Sequence, residues 1–165
     1  MTRFVLIFAL VGLVSAAPPD SRSPSEVYAD KTAAEVPAGP EVFGAFRGRT
    51  PCKDLCRLMN VPRSEACNKV KCRLVLYQDP VTKAPTTYTW AGKKRWAGKW
   101  SIVKGTKADP KATVYRLEPN VAGGFLSFAK VDENILLVID REGNPLVGNA
   151  DFSYTLNRIV RSGKP

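Results

Sequence analysis

The residues best equipped for chemistry are four cysteines, Cys52, Cys56, Cys67 and Cys72, and the chain holds no histidine to accompany them. Thiols clustered in this way serve as a disulfide framework, a metal site or a redox centre. A dithiol redox centre calls for Cys-x-x-Cys at a helix N-terminus in a βαβ setting. Here Cys52-Lys53-Asp54-Leu55-Cys56 is one residue too wide. Thiolates of Cys52 and Cys56 suit Cu(I) or Zn(II), yet there is no imidazole to join them, and Met59 is the only methionine besides Met1. In an oxidising compartment unprotected thiols pair with one another before they meet a metal. The expected state is therefore two disulfides among Cys52, Cys56, Cys67 and Cys72, with three connectivities open. A bond between the 52–56 arm and the 67–72 arm would staple the intervening segment at its base. Each such bond stabilises a fold by about 2–4 kcal/mol. Copper ligation by Cys52 and Cys56 is the alternative; otherwise no cofactor is expected.

The compartment is written at the N-terminus. Arg3 gives a short positive region, and the apolar run Phe4 to Val14 has the length of a secretory h-region rather than of a span. Val14-Ser15-Ala16 offers a peptidase the small residues it reads, so residues 1–16 are expected to be a cleaved signal peptide. No cysteine follows the run, which argues against a lipid anchor, and no other segment is long and apolar enough to cross a membrane. The mature chain is expected in the periplasm or outside the cell. Residues 17–40, with Pro18, Pro19, Pro24, Pro37 and Pro40 among Ser, Ala and acidic residues, read as a flexible linker. The folded domain is expected over 41–161.

Enzymatic chemistry is poorly supplied. Without histidine, acyl-transfer triads as usually built are excluded. The carboxylate pairs Asp132 with Glu133 and Asp140 with Glu142 fall at turns, where they read as turn formers rather than as acid and base. Gly123-Gly124 stands alone and makes no phosphate loop. The chain is expected not to be an enzyme.

Short alternating segments must position these residues. Val42–Gly48, Val70–Gln78, Thr86–Ala91, Trp96–Val103, Ala112–Leu117, Phe125–Val131, Ile135–Asp140 and Phe152–Ile159 read as strands. In the second, Cys72, Leu74 and Leu76 share one face and Arg73, Val75 and Tyr77 the other. Gly98 predicts a bulge or bend in the fourth, and Gly143 predicts a positive φ in the turn Arg141 to Pro145. Between the first two strands, Asp54 to Met59 has room for one or two helical turns, stopped by Val61-Pro62. About eight short strands at this spacing predict an all-β fold, a small antiparallel up-and-down barrel with a cysteine-rich insertion after its first strand.

The net charge is +10, with Lys93-Lys94-Arg95, Lys99, Lys104, Lys107 and Lys111 interleaved with Trp90, Trp96 and Trp100. A base-stacking surface would look like this. In a secreted chain a solvated hairpin with inward tryptophans is preferred, so nucleic acid is not an expected partner. Weak attraction to anionic envelope surfaces is.

Several segments together resemble the N-terminal domain of the NlpE family, envelope lipoproteins linked to copper resistance and surface stress sensing. They are Phe46-Arg47-Gly48-Arg49-Thr50-Pro51-Cys52, Leu74 to Asp79, Gly98-Lys99-Trp100, Ile139-Asp140-Arg141-Glu142-Gly143-Asn144-Pro145-Leu146 and Tyr154-Thr155-Leu156. The resemblance runs in order over about 43–159 and implies a lipocalin-like barrel. The chain departs from the family in its widened first cysteine spacing, the insertion bearing Cys67 and the missing lipoprotein cysteine, and the second domain that some members carry is not expected here. The resemblance implies a non-catalytic domain in copper tolerance or envelope-stress sensing, and the chain is expected to be a monomer. Two alternatives stand beside it. One is a carrier of a small apolar ligand, held in a cavity lined by Leu74, Leu76, Trp100 and Tyr115. The other is an interaction or inhibitor module that presents the pinned insertion to an unidentified protein.

Overall fold

Alternation of apolar and polar side chains makes a strand two-faced, and a meander of such strands buries one face most completely by closing on itself. The chain does this. A computed structural model describes residues 41–118 and 123–159; the signal peptide, the linker and positions 160–161 of the expected domain lie outside the described residues. Eight antiparallel strands form a closed barrel in sequence order: β1 Val42–Pro51, β2 Lys69–Gln78, β3 Pro85–Ala91, β4 Arg95–Lys104, β5 Thr113–Leu117, β6 Leu126–Lys130, β7 Ile135–Ile139 and β8 Thr155–Arg158. One short helix, α1 (Cys52–Leu58), lies between β1 and β2. The predicted fold class and the place of the insertion are what the structure contains.

Each strand pairs with its neighbour in sequence, and β1 with β8 closes the ring. That seam is short, joining Phe46 to Arg158 and Arg47 to Asn157, and Ile159 N–H adds a bond to the Ala45 carbonyl at 2.7 Å. Arg158 fastens it further. Its guanidinium donates to the carbonyls of Glu133 (2.5 Å) and Phe43 (3.1 Å) and lies 4.8 Å from the Phe46 ring centroid.

Inward side chains from the strands form one continuous core with the apolar side of α1. Phe46, Leu74, Leu76, Tyr88, Trp90, Phe128, Leu136 and Leu156 are buried in it, and Leu55, Leu58 and Met59 meet them from the helix. The helix therefore closes one end of the barrel. Its last turn is a Schellman motif, in which Asn60 N–H bonds the Arg57 carbonyl and Val61 N–H the Cys56 carbonyl, with Asn60 at φ 50°. Asn60, before the expected Pro62, is what ends the helix.

Two further readings need adjusting. β4 runs unbroken through Gly98, which pairs in register with Tyr88. The glycine is needed for close approach, because a Cβ there would stand 2.2 Å from the Glu118 carbonyl oxygen. β8 starts later than Phe152, because Asn149 Oδ1 accepts from Asp151 N–H and Phe152 N–H and folds that stretch into a turn. Gly143 takes the positive φ expected of it, 82°.

Candidate functional site

The cysteine segment is built as a stopper. β1 delivers Cys52 straight into the first turn of α1, and Cys67 returns just before β2, so a Cys52–Cys67 disulfide closes the segment at its base. This bond joins one thiol of each arm. The expected second bond is not formed, and Cys56 and Cys72 are both buried free thiols. Cys56 is on the buried side of α1, while Cys72 Sγ sits 3.5 Å from Thr50 Oγ1 and donates to the Val70 carbonyl at 3.6 Å. Burial pushes the Cys72 thiol up to about 12 and raises Cys56 as well. Both are held as neutral, weakly polar core groups.

This arrangement bears on the two thiols named as the metal alternative. Cys52 is oxidised, so Cys52 and Cys56 make no thiolate pair, and Cys56 is held away from the anionic form a soft metal needs.

Two more contacts fix the stopper, and sequence reasoning missed both. The Tyr154 hydroxyl donates to Asp54 Oδ2 at 3.1 Å and accepts from Asp54 N–H at 3.3 Å, tying the start of α1 to the segment before β8. At the other end Phe125 N–H donates to the Leu58 carbonyl at 2.8 Å. Burial pushes the Tyr154 phenol up to about 12. Neither contact has a local signal, since Asp54 and Tyr154 meet only once the barrel is closed.

The four residues expected to line a cavity all point into the barrel: Leu74, Leu76, Trp100 and Tyr115 are at most 3% exposed. They are engaged with one another and with the strands around them. Trp100 and Tyr115 meet edge to face with centroids 5.4 Å apart, Phe43 packs on both, and Trp100 Nε1 donates to the Tyr77 carbonyl at 2.7 Å. Deeper in the same interior, Trp90 and Trp96 face each other in register across β3 and β4. Their buried indole N–H groups find no acceptor among the described residues.

Trp90, Trp96 and Trp100 are all buried, so none offers a ring face to a base from outside. Of the carboxylates, Asp132 and Asp140 bond turn amides. Asp132 Oδ1 accepts from Asn134 N–H and Ile135 N–H, Glu133 pairs with Lys130, and Asp140 Oδ1 accepts from Asn144 N–H at 2.8 Å. Burial works against the Asp140 anion, but the bonds from Asn144 and Glu142 prevail and hold its pKa below the usual value.

No helix among the described residues is long and apolar enough to cross a membrane. Comparisons with protein-family models, with curated proteins and with solved structures find no match.

Proposed function

We propose that the protein is a non-catalytic binding domain of an oxidising compartment, acting in the envelope or outside the cell in the manner of the NlpE-like barrels its strands resemble. The observation that carries this reading is the stoppered barrel: a disulfide, a tyrosine clasp and a capped helix hold one end of a packed cylinder shut. Such a body is rigid, and its loops and outer face are free to recognise a partner. The disulfide fits secretion. A stress-sensing or binding role accords with this chemistry better than copper ligation through Cys52 and Cys56 does. The test is expression of the full chain with its own leader. Recovery outside the cytoplasm of a chain starting at Ala17, with Cys52 and Cys67 bonded, is expected. A chain retained in the cytoplasm with four reduced thiols would overturn the reading.

One observation favours the carrier reading as a second possibility. Two buried indole N–H groups without acceptors are uncommon, and a small apolar ligand with one carbonyl oxygen would satisfy them. Titration with an aliphatic ketone tests this. Saturable quenching of tryptophan fluorescence supports a carrier, and unchanged fluorescence removes that reading.

A further inference from the structure

On the outer face of the barrel, the β4–β5 loop and the turn after β7 enclose a cleft of about 420 Å³, within the range of small-molecule sites. Its two rims are joined: Lys107 N–H donates to the Gly143 carbonyl at 3.1 Å. The glycine is required there, because a Cβ on residue 143 would lie 2.9 Å from that Lys107 nitrogen.

The floor is a row across three strands, where register sets Arg116 beside Ser127 and Ser127 beside Ile139. Leu126 and Phe128 on either side of Ser127 point inward, so the serine points outward into the cleft. Ser127 is 1% exposed, and its hydroxyl has no hydrogen-bond partner among the described residues. A buried hydroxyl left in this state is costly unless something else completes it.

The charges around that hydroxyl point to an anion. Four cationic and two acidic side chains line the cleft. Lys104 is used on Thr113, and Arg141 is used on the Gly123 carbonyl while it stacks 5.1 Å from the Phe125 centroid. Asp140 is used on Asn144. Arg116 and Lys107 have no acidic partner among the described residues. Glu142 and Thr106 also line the cleft, and its apolar part is Val114 and Ile139, buried in the floor, with Phe125 in the wall.

We propose that this cleft binds a small organic carboxylate. The anion is held between the Arg116 guanidinium and the Ser127 hydroxyl, and its apolar body lies on Val114, Ile139 and Phe125. A planar fork beside one hydroxyl donor matches a carboxylate, and the apolar half of the lining gives an inorganic anion nothing to rest on. The site is separate from the barrel interior, so it stands whether or not the interior carries a ligand.

Benzoate is the probe, added to the intact chain at low salt and followed by amide shifts, with benzyl alcohol and inorganic phosphate as comparators. Saturable shifts centred on residues 107, 116, 127, 139 and 143 are expected, with neither comparator binding as tightly. Ser127→Ala and Arg116→Gln should each weaken benzoate by about tenfold while thermal melting shows both variants folded. Arg116→Lys should recover only part of the loss, because it restores charge without the fork. Unsaturable shifts, benzyl alcohol or phosphate binding as well as benzoate, or equal affinity in the Ser127 and Arg116 variants would each overturn the proposal.

Discussion

The stopper and the outer cleft use polar groups in opposite ways. At the stopper several polar groups at the helix ends have partners inside the fold: Asp54 has Tyr154, the Leu58 carbonyl has Phe125, and Asn60 and Val61 close the last turn. In the cleft, a fully buried serine has no partner among the described residues, and two cations make no ion pair there. Completed networks stabilise and fix a shape, whereas an incomplete buried group is a cost that persists where something outside the chain completes it. The contrast separates what holds this molecule together from what it offers to a ligand.

The strongest way to break the contrast is to remove packing from the stopper. Leu55→Ala, at a fully buried position, should cost about 2–5 kcal/mol in urea unfolding and leave benzoate affinity unchanged in the folded protein. Replacing Cys52 and Cys67 together by serine should cost about 3 kcal/mol. Alkylation gives a parallel check, since denatured but unreduced protein should take up two alkyl groups, on Cys56 and Cys72, and four after reduction.

Next comes pH. The Cys72 thiol titrates at 9.0 when unfolded and at about 12 in the folded chain, so the folded state favours the neutral form. Its contribution to stability is complete below pH 9 and is lost as pH rises from 9 towards 12. Tyr88 and Tyr154, each raised from 10.0 to about 12 by burial, add to the loss above pH 10. Cys72→Ala should flatten the decline between pH 9 and 10, measured by urea midpoints.

Tyr154→Phe should cost about 1 kcal/mol through its bond to Asp54. The smallest effect sharpens the comparison most. Ser127→Ala removes a hydroxyl that bonds to nothing among the described residues, so stability should stay level or rise by up to about 1 kcal/mol even as benzoate binding falls. A loss of more than that on thermal melting would show that Ser127 belongs with the structural groups.

The strands were legible because alternation is a local property, and the inward set Cys72, Leu74 and Leu76 followed from it directly. The turn at Gly143 was legible for the same reason. The state of the thiols was not. Composition and compartment argue that four cysteines pair, but whether Cys56 and Cys72 do depends on how α1 seats against β1 and β2, which is a tertiary matter. The cleft was still less visible. Arg116, Ser127 and Ile139 look unrelated in sequence, and only the β5–β6–β7 register sets them in one row. Even the serine carried a faint signal, as a lone polar residue at an outward position of an apolar strand.

The seam between β1 and β8 has a kinetic consequence. Seven of the barrel's junctions join strands adjacent in the sequence, and this one joins the ends of the described domain through two paired positions and an arginine. A cylinder unzips along its shortest stitch, so opening here would turn the ring into a strip with two bare edges while the hairpins stay intact. Hydrogen exchange at the Ile159 amide, which bonds across the seam to the Ala45 carbonyl, should then be faster than at the Leu74 and Val75 amides. Arg158→Ala should widen that gap, because it removes the latch and touches neither the stopper nor the cleft.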